Sequence, residues 1–166
     1  MKKALVIASA MAALVSTPAF AAPGNTATAQ GEATATVIAP ITLTHDAGAA
    51  LSFGTFTAGN GGTVTVNKNN GNGTAGGDVT LVSGSVESAD SFTVGGDPNR
   101  AFQVTTANGT VSDGSNTMSF TTDVKKNHTM DGSGAASFTV GGELTVPDSA
   151  PAGTYTGQYD ATVTYN

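Results

Sequence analysis

Short segments rich in threonine and valine alternate with glycine, asparagine and aspartate along most of the chain, and this pattern constrains the fold most. Branched side chains fit the pleated surface of a β-sheet, whereas the 22 glycines and the Asn and Asp residues mark turns. No window repeats apolar residues at helical spacing for long enough to indicate a helix. The sequence therefore predicts an all-β domain, an antiparallel sandwich or barrel.

The predicted strands are short and regularly spaced. They are Ala33–Thr44, Leu51–Thr57, Thr63–Asn67, Asp78–Ser83, Ser91–Val94, Ala101–Thr106, Thr117–Thr121, Ala136–Val140, Glu143–Val146 and Thr154–Tyr165.

The last of these strands has the clearest alternation. Its larger side chains share one face and its threonines share the other; the first set includes Tyr155, Tyr159, Val163 and Tyr165. A long terminal strand either pairs on both sides or leaves an edge that recruits another chain. Both interpretations stay open: internal pairing, or acceptance of a strand from a partner.

The N-terminus has the three parts of a secretory signal. Lys2 and Lys3 precede the apolar stretch 4–15, and Ala19 and Ala21 place small residues before a cleavage point after Ala21. The alternative, a membrane anchor, needs about 20 apolar residues, more than this stretch has. We expect a cleaved signal at 1–21, a flexible leader at 22–32 and a single β-domain at 33–166.

Composition narrows the partners and the chemistry. The chain is acidic, with a formal net charge of −6, and loss of Lys2 and Lys3 makes it more so. Nucleic acids and acidic membrane surfaces bind clustered basic residues, so we expect neither as a partner after signal cleavage. The absence of cysteine excludes a thiol nucleophile and thiolate metal sites.

The remaining motifs favour turns over chemistry. The glycine pattern of residues 71–76 lacks the following helix that nucleotide binding requires, so we interpret it as a hairpin loop. His45 and His128 are interpreted as surface or turn residues, and nearly all of the acidic residues as solvated turn residues. There is no Gly-x-Ser-x-Gly elbow. We predict no cofactor, no metal and no enzymatic activity.

Several segments resemble a family of exported proteobacterial β-sandwich proteins. Its members are similar to pilins of the archaic chaperone–usher type and to spore-coat-protein-U-like domains. The resemblance lies in Val140-Gly-Gly-Glu-Leu-Thr-Val146, in Pro151–Asn166, and in the earlier segments 33–44, 51–56, 62–66 and 91–95. It implies an immunoglobulin-like antiparallel sandwich lacking its last strand.

The resemblance also implies how that gap is filled. A periplasmic chaperone would occupy it first, an outer-membrane usher would assemble the subunits, and the leader of the next subunit would replace the chaperone. The acceptor groove would be lined by Tyr155, Tyr159, Val163 and Tyr165. The donor would alternate as Ala27, Ala29, Gly31, Ala33 and Ala35.

Alanine buries little apolar surface, so a donor of this composition suits only a shallow groove. The first large side chains, Val37 and Ile38, are expected in the domain's own first strand. Two functions follow as hypotheses: a structural subunit at the surface or in the periplasm of a Gram-negative bacterium, or a self-contained module that binds a glycan or a protein.

Overall fold

The computed structural model describes residue 24 and residues 26–166. The expected signal, with Ala19 and Ala21, lies outside the described residues. The compact domain spans Val37–Asn166. Residues 26–36 are exposed and form no strand. Within the described part of the chain, no helix is long and apolar enough to cross a membrane.

The domain consists of thirteen strands. They are β1 (Thr42–His45), β2 (Phe56–Thr57), β3 (Gly62–Val66), β4 (Gly73–Gly77), β5 (Thr80–Leu81), β6 (Asp90–Gly95), β7 (Ala101–Thr106), β8 (Gly109–Ser112), β9 (Thr117–Val124), β10 (Asn127–Thr129), β11 (Ala135–Val146), β12 (Thr156–Gln158) and β13 (Ala161–Tyr165).

The strands form three antiparallel sheets. The largest has eight strands and runs β1-β6-β11-β9-β8-β12, with β3 paired to β11 and β4 paired to β3. A three-stranded sheet runs β10-β7-β13, and β2 pairs with β5. No residue in the described part of the chain is helical. The prediction of an all-β, antiparallel fold is confirmed.

Strand β11 is the centre of the large sheet. One edge pairs first with β6 and then with β3, while the other pairs with β9. The sequence predicted two strands interrupted at Gly141 and Gly142; the structure has one. A Cβ on Gly141 would overlap the carbonyl oxygen of Val66, and one on Gly142 would overlap that of Thr121. These glycines allow close approach of the neighbouring strands.

Two apolar cores lie under the sheets. The first comprises Phe53, Val64, Val66, Val79, Met118, Phe120, Leu144 and Val146. The second comprises Phe92, Val94, Phe102, Val104, Met130, Phe138 and Val140. Tyr159 packs against both. It therefore marks the boundary between the two cores.

The first predicted strand differs most from the structure. It was predicted to begin at Ala33 but begins at Thr42, and residues 33–40 are exposed. Their Ala and Thr side chains offer little apolar surface to bury. Pro40 also has no N–H for strand pairing. Val37, expected inside the first strand, is 96% exposed.

The predicted strands 51–57 and 154–165 are also divided. Of the first, only Phe56–Thr57 is a strand, because Gly54 adopts a positive φ of 71° that interrupts extended backbone. The second becomes β12 and β13, which belong to different sheets. The chain crosses from one sheet to the other around Tyr159.

Candidate functional site

A cavity of about 1270 Å³ lies beside the C-terminal segment. One wall is residues 49–58 and the other is residues 150–160. Its floor is apolar and comes from strands of the large sheet: Phe92, Val111, Met118, Phe120 and Leu144. The cavity therefore exposes part of both cores.

Each wall is paired along one edge. In the first wall, Ser52 and Ser88 exchange backbone hydrogen bonds of 2.9 and 3.1 Å, and β2 pairs with β5. In the second wall, β12 pairs with β8. Among the described residues, no backbone hydrogen bond joins residues 49–58 to residues 150–160. Among the described residues, the cavity thus lies between two segments that pair with other strands and not with each other.

The two ends of the cavity are closed differently. Just past one end, the N–H of Ser149 donates to the carbonyl of Gly59 at 3.4 Å. At the other end, a polar cluster consists of His45, Asp90 and Tyr159. All three of these residues line the cavity. The apolar part of the cavity lies between these two closures.

Asp90 organises the polar cluster. Its Oδ1 accepts from His45 Nε2 at 2.7 Å and from the Ser91 N–H at 2.8 Å. Its Oδ2 accepts from the Tyr159 hydroxyl at 2.7 Å. Asp90 is 5% exposed and is the one buried polar or charged residue of the described part. Three donors offset the cost of removing a carboxylate from water.

The surroundings of Tyr159 keep its hydroxyl protonated. Burial is the larger cause, and the hydrogen bond to Asp90 with the charge of that carboxylate adds to it; together they raise the pKa of Tyr159 well above its ordinary value. The phenol therefore acts as a hydrogen-bond donor at neutral pH. Its ring lies edge-on to Phe92 and to Phe120, with centroid distances of 6.3 and 6.1 Å. Tyr159 is thus held by both its ring and its hydroxyl.

The sequence did not identify His45 and Asp90 as cavity residues. It placed His45 in a turn or at the surface, and the His45 side chain is 51% exposed. It did not single out Asp90, which the structure buries and pairs with His45. A signal was present, because Asp90 shares its alternation with Phe92 and Val94, which are buried on β6. That parity places Asp90 on the inner face. In the described residues, no group of three or more His, Asp or Glu side chains is arranged to hold a metal ion.

The structure separates the four residues predicted to line an acceptor groove. Tyr155 and Tyr159 line the cavity. Val163 and Tyr165 instead pack against the second core, because the segment changes sheets around Tyr159. The cavity also has large side chains that the prediction omitted, which come from the first wall: Leu51, Phe53 and Phe56.

The predicted donor positions lie in the exposed segment before the domain. Ala27, Ala29, Gly31, Ala33 and Ala35 are all exposed, and none belongs to a strand. Within the described residues, these positions therefore have no strand partner.

Comparison with known proteins gives one family. A search of curated proteins returned no match, and neither did a search of solved structures. Residues 41–165 match the family model described as a domain of unknown function, DUF4402. This match spans well over half of the chain and covers every strand of the domain. The chain therefore belongs to the DUF4402 family.

Proposed function

We propose that the protein is a structural subunit of a bacterial surface assembly, pilin-like in that neighbouring subunits are joined by strand addition. In this proposal the chain is exported across the inner membrane of a Gram-negative bacterium. A periplasmic chaperone and an outer-membrane usher assist assembly at the cell surface or in the periplasm. The role is structural and involves no catalysis.

This proposal rests on the cavity. Its two walls, residues 49–58 and residues 150–160, pair with other strands but not with each other among the described residues. An inserted strand would find backbone donors and acceptors on both walls, and its alternate side chains would enter an apolar floor. The exposed segment 26–38 of a second copy, called the leader from here on, is the proposed insert. Among the described residues it has no strand partner, and Glu32 is its one charged residue.

Gel electrophoresis of protein recovered from producing cells tests assembly. Unboiled samples should give a ladder of detergent-resistant multimers that collapses on boiling. A variant lacking residues 22–36 should give no ladder and should still accept the leader of the intact protein. A single closed monomer in unboiled samples of the intact protein would contradict the proposal.

The cysteine-free chain allows a direct test of which segments meet. Ala33→Cys combined with Gln158→Cys places one thiol on the leader and one on the cavity wall. We expect mild oxidation to link two copies through these residues. The matched control combines Ala33→Cys with Thr162→Cys, an exposed residue of β13 outside the cavity. Equal cross-linking of both pairs would argue against insertion into the cavity.

A second candidate function is a self-contained module that binds an extended ligand such as a glycan. The observation in its favour is that two tyrosines, Tyr155 and Tyr159, share the cavity with polar Gln158 and Asp90. Aromatic rings beside hydrogen-bonding groups suit ligands with both apolar and polar faces. This alternative predicts a stable monomer whose melting temperature rises with an oligosaccharide panel. It also predicts unchanged behaviour after deletion of residues 22–36.

A further inference from the structure

Val37 is the most exposed of the large apolar side chains in the described part of the chain. It is 96% exposed and the adjacent Ile38 is 37% exposed. Both lie before β1, in a stretch that pairs with no strand among the described residues. The domain family begins after them, at residue 41. Both residues thus lie at the N-terminal end of the compact domain, before its first strand.

Tyr165 holds the chain immediately after these two residues. Its hydroxyl donates to the carbonyl of Ala39 at 3.0 Å and accepts from the N–H of Asp97 at 2.6 Å. Its ring lies under the guanidinium of Arg100, 5.1 Å from the ring centroid. A Cβ on Gly96 would overlap the Tyr165 hydroxyl. The position of this hydroxyl is thus fixed from several sides.

Pro40 sets the direction of the chain at the same point. A residue before proline is restricted to extended conformations, so Ala39 continues the leader as extended backbone. The carbonyl of Ala39 is held by the hydroxyl of Tyr165. In the described part of the chain, residues 26–38 belong to no strand.

Resting on the proposed strand addition, we infer that Val37 is the anchor side chain of the donor, and that the Tyr165–Ala39 hydrogen bond sets where the donor segment ends. Val37 shares its alternation with Ala29, Gly31, Ala33 and Ala35. One face of the leader thus carries a single large side chain after a run of small ones. Such a face has one position that fixes the register.

The occupant of the cavity is then the leader of a second copy. Val37 inserts between the aromatic side chains of the cavity, among them Phe53, Phe120 and Tyr155. The small side chains that precede it allow close approach of the backbone along the walls. Residues 26–38 are numerous enough to run along the whole wall formed by residues 150–160. A donor that includes Val37 can bury more apolar surface than one made only of alanine and glycine.

The test compares Val37→Asp with Val86→Asp in the full chain. Val86 is also an exposed valine, at 76%, and does not line the cavity. Val37→Asp should reduce detergent-resistant multimers by about tenfold or more, because a valine that gains burial is replaced by a charge. Val86→Asp should leave them unchanged. Both variants should keep the melting temperature of the wild-type domain, since neither side chain packs in it.

The outcomes separate this inference from the proposed function. Multimers at wild-type levels in Val37→Asp would overturn the anchor role and leave strand addition standing. Equal losses in both variants would also overturn it, because they would indicate non-specific association. No multimers in the wild type would refute strand addition itself.

Tyr165→Phe tests the end of the donor segment. This change keeps the ring and removes both hydrogen bonds. We expect multimers to persist in this variant. To measure the register, Gln158→Cys is combined in turn with a cysteine at position 31, 33 or 35. One of the three positions should dominate cross-linking when Tyr165 is intact, whereas neighbouring positions should also cross-link in Tyr165→Phe. An unchanged cross-linking pattern would show that Tyr165 does not set the register.

Discussion

The hydroxyl of Tyr159 donates a 2.7 Å hydrogen bond to Oδ2 of Asp90. Asp90 begins β6, and Tyr159 lies at the crossing between β12 and β13. The bond therefore ties the C-terminal segment to the large sheet where the two cores meet. It also closes one end of the cavity, so the position of the second wall depends on it.

Replacing Tyr159 by Phe should destabilise the domain by about 1–3 kcal/mol, because Asp90 remains buried with one donor fewer. The ring contacts to Phe92 and Phe120 are kept, so the change isolates the hydroxyl. Urea unfolding measures the difference in free energy of unfolding. Tyr155→Phe is the matched control.

The control removes a hydroxyl that donates to the carbonyl of Pro151 in an exposed loop. We expect its effect to stay within about 0.5 kcal/mol. Equal destabilisation by the two variants would show that the buried carboxylate is not the reason for the Tyr159 effect.

The raised pKa of Tyr159 predicts how stability changes in alkali. Burial is the main cause of the shift, followed by the hydrogen bond to Asp90 and its charge. The folded state therefore holds the phenolic proton more tightly than the unfolded state does. The resulting stability is fully present below the unfolded pKa of about 10 and is lost as pH rises above it.

Tyrosinate absorbance against pH measures this shift. Tyr159 should ionise well above the ordinary pKa of tyrosine, close to the pH at which the domain unfolds. The variant Tyr159→Phe should lack that late step and should lose less stability between neutral and alkaline pH. A titration of Tyr159 near pH 10 in the folded protein would contradict the prediction.

Asp113 predicts a second pH effect, in acid. The backbone N–H of Asn116, then its side-chain amide and the N–H of Ser115, lower the pKa of Asp113 to about 2. Because the folded pKa is depressed, the contribution of Asp113 is present above about pH 4 and is lost as pH falls towards 2. Carboxyl titration by NMR should place its midpoint near 2.

The matched variant for this turn is Asn116→Ala. It removes the side-chain amide and keeps the backbone N–H of residue 116, which is the largest cause of the lowered pKa of Asp113. The midpoint of Asp113 should therefore rise without reaching the ordinary value for aspartate. A midpoint unchanged from that of the wild type would show that the amide does not contribute.

Strands with a buried face were predictable from the sequence. Strand β7 has the predicted bounds, Ala101–Thr106, and Phe102 and Val104 are both fully buried. Its alternation is strict, and one face meets a core, so the local pattern and the packing agree. Strands β3 and β6 agree with their predictions to within a residue at each end.

Features that depend on distant contacts were not predictable. The pairing of His45 with Asp90 joins residues far apart in sequence, and no local pattern indicates which strand faces which. The same holds for the cavity. Its two walls, residues 49–58 and residues 150–160, are far apart in sequence and face each other only once β1 and the C-terminal segment have joined their sheets. Alternation placed Tyr155 and Tyr159 on the same face as Val163 but could not show that the chain changes sheets between Tyr159 and Val163.

Two glycine-rich segments form strands where the sequence predicted turns. Residues 71–76 were interpreted as a hairpin loop, but Gly73–Gly77 forms β4, paired with β3. Gly141 and Gly142 were interpreted as a break but lie inside β11. Glycine is frequent in turns because it allows positive φ, yet these positions in β11 use its lack of a side chain. Only the neighbouring backbone distinguishes the two uses.

The buried glycines of β11 predict a large and specific effect of adding one methyl group. In Gly142→Ala the new Cβ would overlap the carbonyl oxygen of Thr121 on β9 and approach Leu51 in the first cavity wall at 3.3 Å. Overpacking of this kind costs about 1–3 kcal/mol. The strands must move apart at the centre of the large sheet, so both cores should loosen. Thermal unfolding should show a lower melting temperature than the wild type, with Gly132→Ala as the control, since a Cβ on Gly132 meets open space. If Gly142→Ala melted at the same temperature as Gly132→Ala, close strand approach at this position would not be what requires glycine.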